Sequence, residues 1–340
     1  MKKQNLSKTA VIGAGSWGTA LSLVLASNYD TVALWGHKRS DIAKLQSERE
    51  NKKYLSGFIL PENIHPVSNL GDAVKGCDIV TMVVPSHGFR EVYRNVAPLL
   101  EEKCCVVSAV KGIEISSLMT MSQVIDDINK ELQIAKRIRT AVLSGPSFAK
   151  EVAQNLPTAV TIGCSDIDTA KYLQKCFVTP TFRVYAATDV IGLEISAALK
   201  NIVAIGAGIC DGLGYGMNTR AALITRGIAE LTRFGVAVGA DRETFFGLSG
   251  IGDLMLTCTG DLSRNRSVGL KLGQGIKLEQ IIEEMDMVAE GVKTTRSVYG
   301  LAQKLNIDMP ILEQVYEILY NNKDCSKAVE DLLKRELKIE

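Results

Sequence analysis

Short apolar runs recur through the first half of the chain, each bounded by polar or glycine-containing residues. They fall at Thr9–Ile12 and Thr31–Trp35, then around Ile64–Val67 and Ile79–Val84. Others follow at Cys104–Val110, Thr140–Leu143, Ala159–Gly163 and Phe182–Tyr185. Runs of this length, rich in β-branched residues, read as buried strands. Longer segments between several of them have helical spacing: about Ser16–Ser27, Gly88–Leu100, Ser117–Asn129 and Asp166–Cys176. Strands alternating with helices predict an α/β domain with a mostly parallel, doubly wound sheet.

Past about Thr188 the pattern changes to helices alone. Val190–Cys210 is nearly all apolar or small, interrupted by Glu194, Lys200 and Asn201. Its length would span a bilayer, but the interruptions favour a buried core helix. The glycine-rich stretch from Gly206 to Gly216 reads as a flexible break before a second helix, Asn218–Phe234, with Asn218 or Thr219 as N-cap. Leu278–Met285, Val292–Leu305, Ile311–Tyr320 and Ser326–Leu333 have ordinary amphipathic spacing. Two domains are therefore expected, an α/β domain over 1–188 and a helical domain over 189–340.

The totals add limits. A chain of 340 residues is long enough for two cores, and 46% hydrophobic with 23% charged residues is ordinary globular composition. A net charge of +1 gives no reason to expect nucleic-acid binding or an anionic membrane surface. The opening residues carry no apolar leader, so a cytoplasmic location and no stable membrane insertion are expected. The eight cysteines are scattered without a C-x-x-C pair, which suits reduced, mostly buried thiols. Three histidines are too few for a multi-histidine metal site, and no metal is expected.

Chemistry first shows at Gly13-Ala-Gly-Ser-Trp-Gly18, which follows the first apolar run and opens the first helical segment. In that setting the three glycines suit a dinucleotide pyrophosphate. Gly13 permits the tight turn, Gly15 lets backbone approach phosphate, and Gly18 lets helix pack on strand. The acidic residue that normally ends the second strand and holds the adenosine ribose of NAD is missing. Gly36-His37-Lys38-Arg39 stands there, and cationic donors suit a 2′-phosphate. NADP(H) is the expected preference, with NAD(H) use still open; a solvated basic turn is the alternative.

Two later stretches carry further chemistry. A lysine in a helix apolar nearly all round is costly unless it is paired or lines a wet cavity. Lys200 is therefore a catalytic group, a buried ion-pair partner of Glu194 or Asp253, or a snorkelling side chain. Gly247, Gly250 and Gly252 cluster before Asp253, and Thr257, Thr259, Ser263, Arg264 and Asn265 then form a donor-rich segment running into a helix. Guanidinium, amide and hydroxyl donors suit an oxyanion or phosphate; a polar loop with a helix cap is the plainer reading.

With these residues assembled, the chain resembles the soluble NAD(P)-dependent glycerol-3-phosphate dehydrogenases of bacteria. The likeness rests on Gly-Ala-Gly-Ser-Trp-Gly at 13–18, Val-Lys-Gly at 110–112 and Ser-Gly-Pro-Ser-Phe-Ala at 144–149. Leu-Lys-Asn at 199–201, Gly-Ile-Gly-Asp-Leu at 250–254, Thr-Cys-Thr at 257–259, Ser-Arg-Asn at 263–265 and Ala-Glu-Gly at 289–291 extend it. The resemblance implies an N-terminal Rossmann domain and a helical C-terminal domain. It implies reduction of dihydroxyacetone phosphate to sn-glycerol 3-phosphate for phospholipid synthesis, and suggests a homodimer. Lys200 resembles the family's proton donor or acceptor. Lys111, Gly145, Ser147, Asn201, Asp253, Ser263, Arg264 and Asn265 resemble substrate contacts. Ser16, Trp17, His37, Lys111, Ala149, Arg264, Val288 and Glu290 resemble cofactor contacts beside the three glycines. Ser56 stands where the family usually has proline, a difference in loop stiffness and not in chemistry.

Overall fold

The computed structural model describes residues 6–134, 138–285 and 289–336, and the chain divides into two compact units. One runs through Val110 and resumes from Met119 to Leu193; the other takes Lys111–Leu118 and the chain from Glu194 onward. The change of hydrophobic pattern near Thr188 marks the start of a long helix, Val190–Gly212, rather than the edge of a unit. The detour at Lys111–Leu118 has no signature in local periodicity, because it depends on which neighbours the segment packs against.

The first unit is Rossmann-like. Its strands are β1 (Leu6–Ile12), β2 (Tyr29–Trp35), β3 (Glu50–Asn51), β4 (Leu55–Ile59) and β5 (Ile64–Val67). The rest are β6 (Ile79–Met82), β7 (Cys105–Ser108), β8 (Arg139–Ser144), β9 (Thr158–Gly163) and β10 (Phe182–Ala187). Eight form one sheet in the order β10-β9-β8-β7-β6-β1-β2-β5, while β3 and β4 make a small antiparallel ribbon. Every pairing in the large sheet is parallel except β8 with β9, so the last two strands run against the others.

Helices α1 (Ser16–Ala26), α2 (Arg39–Glu48), α3 (Leu70–Val74) and α4 (Phe89–Val96) accompany this sheet, with α5 (Met121–Glu131), α6 (Ala149–Ala153) and α7 (Ile167–Phe177). The strands' two-residue period feeds two cores. Val11, Ile79, Val107 and Leu143 pack with Leu21, Leu25, Leu173 and Phe177 on one face. Ile12, Val80, Met82 and Val106 pack with Phe89, Tyr93, Ile125 and Ile128 on the other. Helix α5 starts at Met121, four residues after the sequence-predicted start, because Thr120 and Gln123 form a reciprocal capping box. The chain leaves β1 toward β2 and β5, then returns to β6 on the other side. This is a topological switch point, where α/β sheets bind ligands beyond the strands' carboxyl ends.

The second unit is helical: α8 (Val190–Gly212), α9 (Met217–Ala237), α10 (Asp253–Thr259), α11 (Arg264–Gly273) and α12 (Leu278–Glu283), then α13 (Glu290–Leu305), α14 (Pro310–Asn321) and α15 (Cys325–Leu333). Helix α8 is long and apolar enough to cross a membrane, yet most of it is buried inside the protein, as a core helix would be. It does not break at Gly206 but continues to Gly212, and α9 starts at Met217 with Gly216 before it and no side-chain cap. The glycines of α8 serve helix contact instead of flexibility. A methyl group at Gly208 would lie 2.0 Å from the Arg266 carbonyl oxygen, and one at Gly269 would lie 2.0 Å from that of Ile205. Backbone therefore meets backbone where α8 crosses α11.

Two Gly→Ala substitutions should differ in sign. Gly269→Ala should destabilise by about 1–3 kcal/mol through overpacking. Gly300→Ala on α13, where an added methyl meets nothing within 4 Å, should stabilise by about 0.5–1 kcal/mol from helix propensity. Urea unfolding midpoints measure both, and a loss at Gly300 equal to that at Gly269 would refute the contact reading.

Candidate active site

In the first unit, β1 runs into Gly13, whose φ of +129° only glycine adopts readily, and whose added methyl would lie 2.6 Å from the Val83 carbonyl oxygen. An added methyl at Gly18 would lie 1.8 Å from the Gly13 oxygen, so α1 packs against the turn as the spacing predicts. Around Gly15 the space is open, with nothing within 4 Å of an added methyl, and no side chain caps α1. A helix start without a side-chain cap, beside an open, side-chain-free backbone, fits a pyrophosphate.

The turn is braced by the β3–β4 ribbon. Asn51 Nδ2 donates to the Ala14 carbonyl (3.0 Å) and to Thr19 Oγ1 (2.7 Å), and Ser16 Oγ donates to the Tyr54 carbonyl at 2.7 Å. Ser16 was expected from the motif, whereas Asn51 and Tyr54 were not: their link to the glycines is made in space. At the end of β2, His37, Lys38 and Arg39 are exposed, and Arg39 opens α2, which also lacks a side-chain cap. Cations at a helix start oppose its dipole and gain only if an anion joins them. Ala149 opens α6, which packs on α1, and Ser147 Oγ donates to the Gly145 carbonyl at 2.9 Å. Val288 lies outside the described residues.

In the second unit the structure joins Lys200 to Asp253. Lys200 Nζ donates to Asp253 Oδ1 (2.6 Å) and to Thr257 Oγ1 (2.7 Å), while Lys111 Nζ reaches Asp253 Oδ2 at 2.8 Å. Lys200 is 4% exposed and Asp253 1%. The two ammonium donors lie on α8 and in the Lys111–Leu118 segment, and the acceptors lie on α10. Asp253 and Thr257 are four residues apart on α10 and so share one face; that spacing is the signal for pairing Thr257 with Lys200 rather than with an oxyanion. Asn201, next to Lys200, donates to the Lys111 carbonyl at 3.4 Å.

The charges explain the titration. Burial pushes the Lys200 ammonium down to about 8; Asp253 opposes this and Lys111 adds to it. Burial alone would raise the Asp253 carboxyl, but Lys111 and Lys200 outweigh it and hold it below the usual carboxylate range. Asp253 also opens α10, where the dipole favours an anion. Among the described residues, no group of three or more His, Cys, Asp or Glu could hold a metal ion.

The donor-rich segment divides its labour. Ser263 caps α11 by accepting from the Arg266 N–H at 3.2 Å, and Asn265 Oδ1 accepts from the Gly291 N–H at 2.9 Å. Burial lowers the Arg264 pKa, and the negative charge of Glu290 acts against that shift.

Family comparison decides the assignment. Residues 8–170 match the N-terminal and residues 189–330 the C-terminal model of NAD-dependent glycerol-3-phosphate dehydrogenase. The chain belongs to the NAD-dependent glycerol-3-phosphate dehydrogenase family. A relative from Desulfotalea psychrophila, named glycerol-3-phosphate dehydrogenase [NAD(P)+], is 58% identical over 97% of this chain and 98% of its own. A relative of the same name from Citrifermentans bemidjiense is 51% identical over 98% of each chain. The crystal structure of glycerol-3-phosphate dehydrogenase from Coxiella burnetii is 39% identical, with a TM-score of 0.91 over 97% of this family member and 99% of that chain. D-mandelate dehydrogenase, 11% identical with a TM-score of 0.61, shares the fold alone.

Asp253→Ala would leave the buried Lys200 ammonium without its anion. It should cost about 3–5 kcal/mol of stability at neutral pH, the scale of a broken buried pair. Denaturant unfolding measures it, and a stability equal to wild type would show that the pair is not what holds Lys200 in place.

Proposed function

We propose that this chain reduces dihydroxyacetone phosphate to sn-glycerol 3-phosphate, reversibly, with NADP(H) preferred and NAD(H) accepted, and that Lys200 is the proton donor and acceptor. The observation that carries the reading is a buried lysine poised near pH 8 between Asp253 and Thr257, in a chain of this family. When bound, the dinucleotide supplies a hydride to the carbonyl carbon. The chain must handle the oxygen. A lysine ammonium has three N–H donors; Asp253 and Thr257 take two, which leaves the third for a substrate oxygen. Protonated Lys200 stabilises the growing alkoxide and then protonates it. Neutral Lys200 removes the hydroxyl proton in the reverse direction.

Lys111 keeps Asp253 ionised from its other oxygen, so Lys200 keeps a fixed partner as it titrates. The phosphate goes to Arg264, Asn265 and Ser263, whose donors can hold the substrate while the carbonyl reacts. The exposed His37, Lys38 and Arg39 at an uncapped helix start support the NADP(H) preference. The reading includes a cytoplasmic location, in keeping with eight free thiols, and a homodimer, as the family resemblance suggests.

Lys200→Ala should lower kcat by about 10²–10⁴-fold, the scale of general acid–base loss. A kcat near wild type, or no oxidation of NADPH or NADH by the wild-type protein with dihydroxyacetone phosphate, would end the proposal. Reduction needs the ammonium form, so its rate should hold below pH 8 and fall as pH rises through about 8; glycerol 3-phosphate oxidation should rise through the same range. Rates that are flat from pH 6.5 to 9.5 in both directions would contradict this role. Arg39→Ala should raise the KM for NADPH by about 10–100-fold, the scale of a lost charged hydrogen bond, and leave that for NADH unchanged. Equal changes for both cofactors would remove the 2′-phosphate role.

A further inference from the structure

Three helices meet at Gly291, the second residue of α13. Its N–H donates to Asn265 Oδ1 on α11 at 2.9 Å. A methyl group added there would lie 2.6 Å from that Oδ1 and 2.8 Å from the backbone oxygen of Asn201 on α8. No side chain at Ala289 caps α13, so Asn265 supplies the acceptor that an early helix N–H lacks.

The contact has a chemical consequence. A carboxamide is an acceptor at one end and a donor at the other. An N–H can only donate, so the bond settles which end of Asn265 turns toward α13: the oxygen. The NH2 group is the end left over, and among the described residues nothing accepts from it. Asn265 is 8% exposed, so its amide has little water to turn in. An oxyanion is attracted by the NH2 end and repelled by the oxygen.

We propose that Gly291 is a positioning residue for the phosphate of the substrate: by donating to Asn265 Oδ1, and by having no side chain, it holds that amide with NH2 as the free donor. The proposal rests on the phosphate role given above to Arg264, Asn265 and Ser263. Gly291 itself touches no substrate. Its effect passes through Asn265, so the signature is a KM change without a kcat change.

The test uses the full-length enzyme with inorganic phosphate as probe, measured as Ki against dihydroxyacetone phosphate and by calorimetric titration. Gly291→Ala is compared with Asn265→Asp and with Gly300→Ala, a site on the same helix with open space around an added methyl. Asn265→Asp keeps an oxygen for the Gly291 N–H but replaces the donor with a negative charge. Gly291→Ala and Asn265→Asp should each weaken phosphate binding and raise the substrate KM by about 10–100-fold, the scale of a lost charged hydrogen bond. In Gly291→Ala, kcat and NADPH affinity should stay at the wild-type level, and Gly300→Ala should match wild type throughout. Gly291→Ala with unchanged phosphate Ki and KM, or with a lower kcat at unchanged KM, overturns the proposal. If Gly291→Ala does not fold, Asn265→Asp decides, and phosphate binding equal to wild type overturns it. Phosphate binding that weakens in both variants of an enzyme inert toward dihydroxyacetone phosphate would instead overturn the reaction and leave the anchor standing.

Discussion

One buried carboxylate between two ammonium groups is the interaction on which the polar interior of the second unit depends. Asp253 lies 2.6 Å from Lys200 and 2.8 Å from Lys111, one contact to each oxygen. Removing such charges from water costs several kcal/mol per ion, and only close, well-oriented partners offset it. Here the partners are two lysines, the start of α10 and the hydroxyl of Thr257. The trio still carries one positive charge in excess. The second ammonium weakens the hold of Lys200 on its proton.

Holding such a trio in register takes a rigid frame. The second unit obtains it through helices whose backbones touch. Gly208 and Gly212 on α8 face Gly269 and Gly273 on α11, and each would place a methyl within 2.4 Å of a backbone oxygen on the other helix. Lys200 lies two turns before the first pair, and Arg264 and Asn265 lie one turn before Gly269. Interiors packed this closely transmit displacement instead of absorbing it. The same logic operates in the first unit, where Gly13 and Gly18 let α1 close onto the β1 turn and Asn51 ties that turn to the ribbon.

The legible features are those with a local period or a local cost. The strand–helix alternation is visible because strands repeat every two residues and helices every 3.6. Lys200 stands out because a charge in an apolar helix must have a reason, and Asp253 was one of two partners the residues could name. What stays hidden is decided at a distance. The antiparallel entry of β9 follows a connection through α6 whose direction no strand residue encodes. The two-residue strand β3 has no period to detect. The glycine-rich stretch from 206 to 216 reads as a break because the other use of Gly208 and Gly212, contact with α11, requires knowing that α11 is there. Thr257 reads from the sequence as one donor of an oxyanion-binding segment, and its bond with Lys200 shows only once the two helices are side by side. Gly291 is similar: its partner is 26 residues away on another helix.

A group that donates a proton in one direction and accepts it in the other works best when neither form is strongly favoured. Burial alone would strip Lys200 of its proton, and a carboxylate committed to it alone would keep it charged. Lys111 sits on the opposite oxygen of that carboxylate, so Asp253 divides its charge between two ammonium groups. The balance falls at about 8. Lys111 therefore contributes without a hydrogen bond to Lys200: its positive charge lowers the proton affinity of the Lys200 amine. A substrate phosphate or alkoxide arriving nearby would raise the proton affinity of Lys200, and release of the product would lower it again.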